Sequence, residues 1–211
     1  MIGKSEIDSI FFDLDGTLWD GVNCYAQGFN DFFEFNNIDR RLTVNDLYNF
    51  MGLEEDEYLE VLLPEFQLDR RKLMYNDIVD FQYKRIKSGG GILYEGVKNG
   101  LYELSRKHKL FIVSNCSEFT IKHFMDWSGI EGCITDTMSH GMNFKPKHEN
   151  INFLIKKHNL VNSVYVGDTE SDSEQSRLAR VPFVFVDYGF GVALNYDLRF
   201  DSFSTLTNYF K

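Results

Sequence analysis

Of the 211 residues only 3 are cysteine and 3 are proline. Cys24, Cys116 and Cys133 are odd in number, far apart and never spaced as C-x-x-C. That excludes a disulfide framework and a cysteine zinc site, and it fits a reducing compartment. With so little proline and 16 glycines, the chain has no room for a long flexible linker. No apolar run approaches the roughly 20 residues of a membrane span. The most apolar stretch, 181–194, is broken by Pro182, Asp187 and two glycines. Met1-Ile2-Gly3-Lys4 leads to only three consecutive apolar residues before Asp13, which is no secretion signal, so a cytoplasmic location is expected. Positive charge is scarce as well: 22 lysines and arginines face 32 acids, a net charge of −10. Such a surface repels nucleic acid and acidic membranes, and an anionic substrate would need a local source of positive charge.

What is present is a globular composition, 43% hydrophobic and 16% aromatic with 20 phenylalanines. A chain of this length buries about 70% of its unfolded surface. Four short runs read as buried strands: Ile10-Phe11-Phe12, Leu110 to Val113, Val164-Tyr165-Val166 and Phe183 to Val186. Between them, Val97, Leu101 and Leu104, then Ile121, Phe124 and Met125, then Ile151, Leu154, Ile155 and His158 repeat at helical spacing, with Gly129 and Asn159 as stops. Strand–helix alternation predicts an α/β fold, a Rossmann-like parallel sheet with helices on both faces.

One region breaks the alternation. From Gly21 to Lys87 only helical patterns occur: Tyr25, Phe29, Phe32 and Phe33; Leu47 and Phe50 behind Thr43; Leu59, Leu62 and Leu63; then Leu73, Ile78, Phe81 and Ile86. Ser88-Gly89-Gly90-Gly91 follows as a natural hinge. The expected organisation is a core of residues 1–19 and 92–211 with an inserted α-helical domain at 20–91. Glu54-Glu55-Asp56-Glu57 reads as a solvated helix start.

The chemistry falls just past the strand ends, where open α/β sheets hold ligands. In Asp13-Leu14-Asp15-Gly16-Thr17 the two acids, two residues apart on an extended backbone, share a face, and Gly16 lets the chain turn. Ser114-Asn115 ends the second apolar run with a hydroxyl and an amide, and helical pattern resumes near Ser117. Lys145 precedes Pro146, which holds it extended. In Gly167-Asp168-Thr169-Glu170-Ser171-Asp172 one acid ends a strand and another follows one helical turn on. Carboxylates gathered at neighbouring strand ends repel unless a cation joins them or they are protonated. With oxygen donors and no nearby His or Cys, Mg²⁺ is the expected ion. Carboxylate, hard metal, lysine and hydroxyl together describe a phosphoryl-transfer site.

These elements, in this order, resemble the haloacid dehalogenase superfamily, over Ile7 to about Gly191. The insert sits where the phosphoglycolate phosphatase-like and phosphoglucomutase-like branch carries a helical cap. The resemblance implies that Asp13 attacks phosphorus to form an aspartyl-phosphate, and that Asp15 protonates the leaving oxygen and then deprotonates water. It implies that Asp13, the Asp15 carbonyl and Asp168 bind Mg²⁺, with Asp172 supporting a metal-bound water or Lys145. It assigns the phosphoryl oxygens to Ser114, Asn115 and Lys145. The acid at Asp15 disfavours halide chemistry. Trp19-Asp20 stands where relatives often carry Asp-Ser, and Lys147 follows the Lys-Pro pair.

The expected function is therefore a Mg²⁺-dependent phosphatase of a small phosphorylated metabolite, with no nucleic-acid or membrane partner. A phosphomutase with the same intermediate is the alternative, and a non-catalytic binding protein of this fold is a third reading. The segment from Asp20 to Ile92 holds 14 acids against 8 bases, which argues against a nucleic-acid end or a highly phosphorylated substrate. Trp19, Tyr25, Phe29 and Tyr83 offer a pocket lining but, at helical spacing, are read as core, and Cys116 is read as a packing residue. No feature of the sequence specifies an oligomeric state.

Overall fold

The computed structural model describes residues 7–51, 53 and 55–211, the side chain of Glu55 excepted. Met1-Ile2-Gly3-Lys4, and Glu54 with the Glu55 side chain in the acidic run, lie outside the described residues. The strands in chain order are β1 (Ser9–Phe12), β2 (Trp19–Asp20), β3 (Ile92–Leu93), β4 (Lys109–Ser114), β5 (Asp136–Ser139), β6 (Ser163–Gly167), β7 (Phe183–Val186) and β8 (Leu198–Phe200). The first helices are α1 (Val22–Phe35), α2 (Val44–Tyr48), α3 (Glu55–Leu62) and α4 (Leu68–Gly89). They are followed by α5 (Val97–Leu104), α6 (Thr120–Ser128), α7 (His140–Asn143), α8 (Lys147–His158), α9 (Glu170–Ala179) and α10 (Phe203–Phe210).

Six strands form one parallel sheet in the order β5-β4-β1-β6-β7-β8. The inner strands are apolar through their central positions, with polar or glycine residues only at their ends, because both faces are covered. Ile10, Phe12, Ile112, Val164 and Val184 belong to one core cluster together with residues of α1, α5 and α10. Phe11, Phe111, Tyr165 and Phe183 belong to another, with Ile151 and Leu154 of α8. Asn159 and Gly129 end α8 and α6 in the left-handed conformation, as their types favour.

The strands that sequence patterning missed are the edges and the shortest pairs. β5, Asp-Thr-Met-Ser, and β8, Leu-Arg-Phe, each pair on one side only and are partly exposed, so they carry no apolar run. β2 and β3 are two-residue antiparallel partners at the two ends of the helical insert. Within that insert, Thr43 caps α2 reciprocally with Asp46. α4 runs on through Ser88 and Gly89 and ends at Gly90, whose φ is 69°. Leu73, read as part of the apolar face of α4, is instead exposed; Met74, Tyr75, Ile78 and Val79 are the buried ones. Phe29, Phe33, Leu59 and Ile78 of the insert belong to the same hydrophobic cluster as the sheet residues Ile10 and Val164.

After β1 the chain builds β4 and β5 on one side, then crosses to β6, β7 and β8 on the other. The crevice beyond β1 is therefore the switch point of the sheet, where ligand sites of open α/β folds lie.

Candidate active site

Asp13 is the first residue past β1, and its N–H continues the ladder to Val166 O at 2.8 Å. The carboxylate is thereby aimed into the switch-point crevice, which it lines together with Asp15, Ser114, Asn115 and Lys147. Asp13 Oδ1 accepts from Lys147 Nζ at 3.0 Å, and the same ammonium donates to Asp172 Oδ1 at 2.6 Å. All three groups are buried. Burial raises the Asp13 carboxyl; Lys147 lowers it and Asp172 raises it again, for a value of about 6. Burial opposes the charge on Lys147, but the two carboxylates outweigh it and hold the ammonium above the ordinary lysine value.

Asp168 follows β6 and is fully buried. Its Oδ1 accepts from the Thr17 hydroxyl at 3.3 Å, and its Oδ2 from the Phe190 and Gly191 N–H groups at 2.8 and 3.3 Å. Gly16 is needed beside it: its φ is 81°, and a Cβ there would overlap the Asp168 carboxylate. Asp172 is the third residue of α9 and completes a capping box with Thr169. Its Oδ2 accepts from the Asp168 N–H, the Thr169 N–H and the Thr169 hydroxyl, and its Oδ1 also accepts from Tyr165 OH at 3.2 Å. With both oxygens so engaged, Asp172 serves to hold Lys147.

Asp13, Asp168 and Asp172 bring carboxylate oxygens within 4.8 Å of one another. One ammonium faces three carboxylates, and it contacts Asp13 and Asp172 but not Asp168. Burial, then the charges of Asp172 and Asp13, push Asp168 well above the usual carboxylate range. An all-oxygen donor set with excess negative charge fits a hard divalent cation.

Asp15 stands apart from that cluster. Its Oδ1 accepts from Trp19 Nε1 at 3.0 Å and from Tyr25 OH at 2.9 Å. Burial and the neighbouring Asp13 raise it to about 7, against the lowering effect of those two donors. Sequence reading took both aromatics as core. They are buried, but Trp19 and Tyr25 also fix the orientation of Asp15. Burial pushes the Cys116 thiol up, so it offers no thiolate.

The lysine expected in the site was Lys145, and the structure puts Lys147 there instead. Pro146 holds Lys145 outside α8, where its ammonium pairs with Glu149 at 3.0 Å and its side chain is 57% exposed. Lys147 is the first residue of the helix, on the buried face with Asn150, Ile151 and Leu154. The apolar period of Ile151 and Leu154, run back one turn, lands on Lys147, and that signal was available in the sequence. Ser114 ends β4 where expected, and Asn115 follows it into the crevice. α6, however, starts at Thr120 rather than near Ser117, and the two hydroxyls bond at 2.8 Å.

The model of the haloacid dehalogenase-like hydrolases matches residues 10–186, and the chain belongs to that family of hydrolases. No curated protein sequence matches it. Among solved structures, it is similar to a predicted phosphoglycolate phosphatase from Haemophilus somnus 129pt, at 21% identity over 99% of this chain and 100% of that one, with a TM-score of 0.84. A haloacid dehalogenase-like family hydrolase from Streptococcus pneumoniae is 20% identical, covering 98% and 100% of the two chains, with a TM-score of 0.79. A mutant of CbbY from Rhodobacter sphaeroides, in complex with a xylulose bisphosphate, is 14% identical over 95% and 96%, with a TM-score of 0.81. At these identities the likeness is one of fold.

Proposed function

We propose that this hydrolase is a Mg²⁺-dependent phosphatase of a small phosphorylated metabolite, acting through an aspartyl-phosphate on Asp13. The observation that carries the reading is the pairing of two unlike acids past β1. The Lys147 ammonium, 3.0 Å from Asp13, favours its carboxylate form against the raising effect of burial, while Asp15 is bonded by the neutral donors Trp19 and Tyr25 and, raised to about 7, is suited to carry a proton. The phosphatase names of the structural neighbours agree with it.

In this reading Asp13 attacks phosphorus in line, and the bond to the leaving oxygen breaks as Asp15 gives that oxygen its proton. Two donors already occupy Oδ1 of Asp15, which leaves Oδ2 to hold the proton. Asp15, then ionised, takes a proton from water as the water attacks the aspartyl-phosphate, freeing phosphate and restoring Asp13. Lys147, Ser114 and Asn115 surround the phosphoryl oxygens as their charge shifts. Asp13, Asp168 and the Asp15 carbonyl would hold the magnesium ion, which supplies charge neutralisation for the phosphoryl group. Residues 20–91 act as a cap that closes the crevice to bulk water.

Three free cysteines support work in the cytoplasm. No helix among the described residues is long and apolar enough to cross a membrane. The acidic net charge supports a small-molecule partner rather than a nucleic acid. The test is hydrolysis of p-nitrophenyl phosphate with Mg²⁺: Asp13→Asn is expected to abolish it, and retained turnover would refute the nucleophile.

A further inference from the structure

The crevice above Asp13 is roofed by the helical insert, and the chemistry of its lining restricts what the phosphoryl group is attached to. Phe29 of α1, Leu47 of α2, Phe50 and Met51 after it, Tyr58 of α3 and Phe190 from the core face one another across it. Among the described lining residues the only cation is Lys147, and its ammonium is already engaged by Asp13 and Asp172.

The insert's own cations are directed elsewhere. Arg40 pairs with Glu65 at 3.3 Å, Arg71 with Glu60 at 4.0 Å, Lys72 with Asp56 at 3.2 Å and Arg85 with Asp31 at 2.5 Å. None of the insert's eight lysines and arginines lines the crevice. The segment from Asn49 to Glu57 contains four acids and no base. Tyr75, Gln82 and Thr120 also line the crevice, but they are neutral, so a second phosphate or a carboxylate on the substrate would lose its water largely against phenylalanine, leucine and methionine and gain no counter-charge, which is unfavourable.

We infer that the substrate's leaving group is an uncharged, predominantly apolar or aromatic body bearing no second phosphate or carboxylate. The inference rests on the phosphatase reading and specifies its substrate class. Phenyl and aliphatic side chains bury such a body at a gain, and ring-on-ring contact with Phe50, Tyr58 or Phe190 adds to it. Compounds of the phosphoglycolate type and sugar bisphosphates are disfavoured by the same lining.

The test compares benzyl phosphate with 4-carboxybenzyl phosphate, two esters with the same reacting bond, in the full chain with Mg²⁺. The expected result is a kcat/KM at least about tenfold higher for the uncharged ester. A smaller ratio, or a reversed one, overturns the inference. A binding arm separates this from failure of the phosphatase reading. Benzylphosphonate and 4-carboxybenzylphosphonate are titrated calorimetrically into the same Mg²⁺-loaded protein. If neither ester turns over but the uncharged phosphonate binds at least about tenfold tighter, the phosphatase reading falls and the assignment of the crevice stands. If the two phosphonates bind alike, the assignment is overturned whatever the catalytic result.

Discussion

Lys147 Nζ lies 3.0 Å from Asp13 Oδ1, joining the first turn of α8 to the end of the central strand across 134 residues of sequence. This contact favours the ionised form of the proposed nucleophile against burial, which raises its carboxyl. Removing the ammonium takes away a donor to the phosphoryl oxygens and leaves Asp13 and Asp172 unopposed. Lys147→Ala is expected to lower kcat/KM by roughly a hundred- to a thousandfold. Without added metal, it is also expected to destabilise the fold by about 3–5 kcal/mol, the usual cost of leaving a buried charge unpaired. Lys145→Ala, which removes only an exposed pair with Glu149, is expected to stay within about twofold in rate and 0.5 kcal/mol in stability. Initial rates and urea melts of the two variants check both statements.

Asp15 has the opposite duty from Asp13, and its effect depends on the substrate. An acid is needed most where the leaving oxygen is a poor leaving group. Asp15→Asn is expected to cost roughly a hundred- to ten-thousandfold with an alkyl phosphate such as benzyl phosphate. The loss is expected to be at least about tenfold smaller with p-nitrophenyl phosphate, whose phenolate departs unaided. Since Asp15 must be protonated for the first step and its pKa is about 7, alkyl ester turnover is expected to fall as pH rises through that value. Steady-state rates from pH 5 to 9 with both substrates measure this.

The two donors on Asp15 Oδ1 stabilise its ionised form, so each lowers its pKa. Tyr25→Phe removes one donor and keeps the buried ring. The alkaline limb of the pH–rate profile is expected to move upward by about half to one unit. An unchanged or downward-shifted limb would remove Tyr25 from the site.

Raised carboxyl pKa values are a burden on the metal-free fold. Asp13 at about 6 and Asp15 at about 7 both exceed the ordinary aspartate value of 3.8, and Asp168 is raised in the same direction. Between those limits the native state binds more protons than the unfolded chain, so stability falls as pH rises from about 4 to about 7. In EDTA, the unfolding free energy is expected to be lower at pH 7.5 than at pH 5 by a few kcal/mol. Mg²⁺ at about a hundred times its dissociation constant is expected to restore about 2.7 kcal/mol at the higher pH. Urea unfolding at the two pH values, with and without the ion, checks the sign.

How much of this was readable in the sequence depends on where each residue lies. Ile10 to Phe12, Leu110 to Val113, Val164 to Val166 and Phe183 to Val186 are inner strands covered on both faces, and full burial leaves an apolar run that composition alone reveals. Asp136 to Ser139 and Leu198 to Phe200 are edges, half solvated, and no such run exists there. Asp13, Asp15, Asp168 and Asp172 were legible because each sits at a fixed offset from an inner strand. Lys147 was hidden behind Lys145, since the proline between them marks the boundary of α8 rather than the residue that points inward. Trp19 and Tyr25 were hidden for another reason. A buried aromatic that also donates a hydrogen bond looks, in sequence, like one that only packs. The apolar lining of the crevice depends on which insert residues face the core, and helical spacing alone does not distinguish that face from the insert's own packing.

The most direct measurement is of Asp13 itself during turnover. Enzyme mixed with p-nitrophenyl phosphate and Mg²⁺ is quenched in acid within the first turnovers and digested, and the peptide containing Asp13 is weighed by mass spectrometry. One added phosphoryl group is expected on Asp13, appearing as p-nitrophenolate is released, decaying as phosphate is formed, and absent in Asp13→Asn. Active turnover with no phosphorylated Asp13 at any quench time, or with the phosphoryl group on another residue, would contradict it.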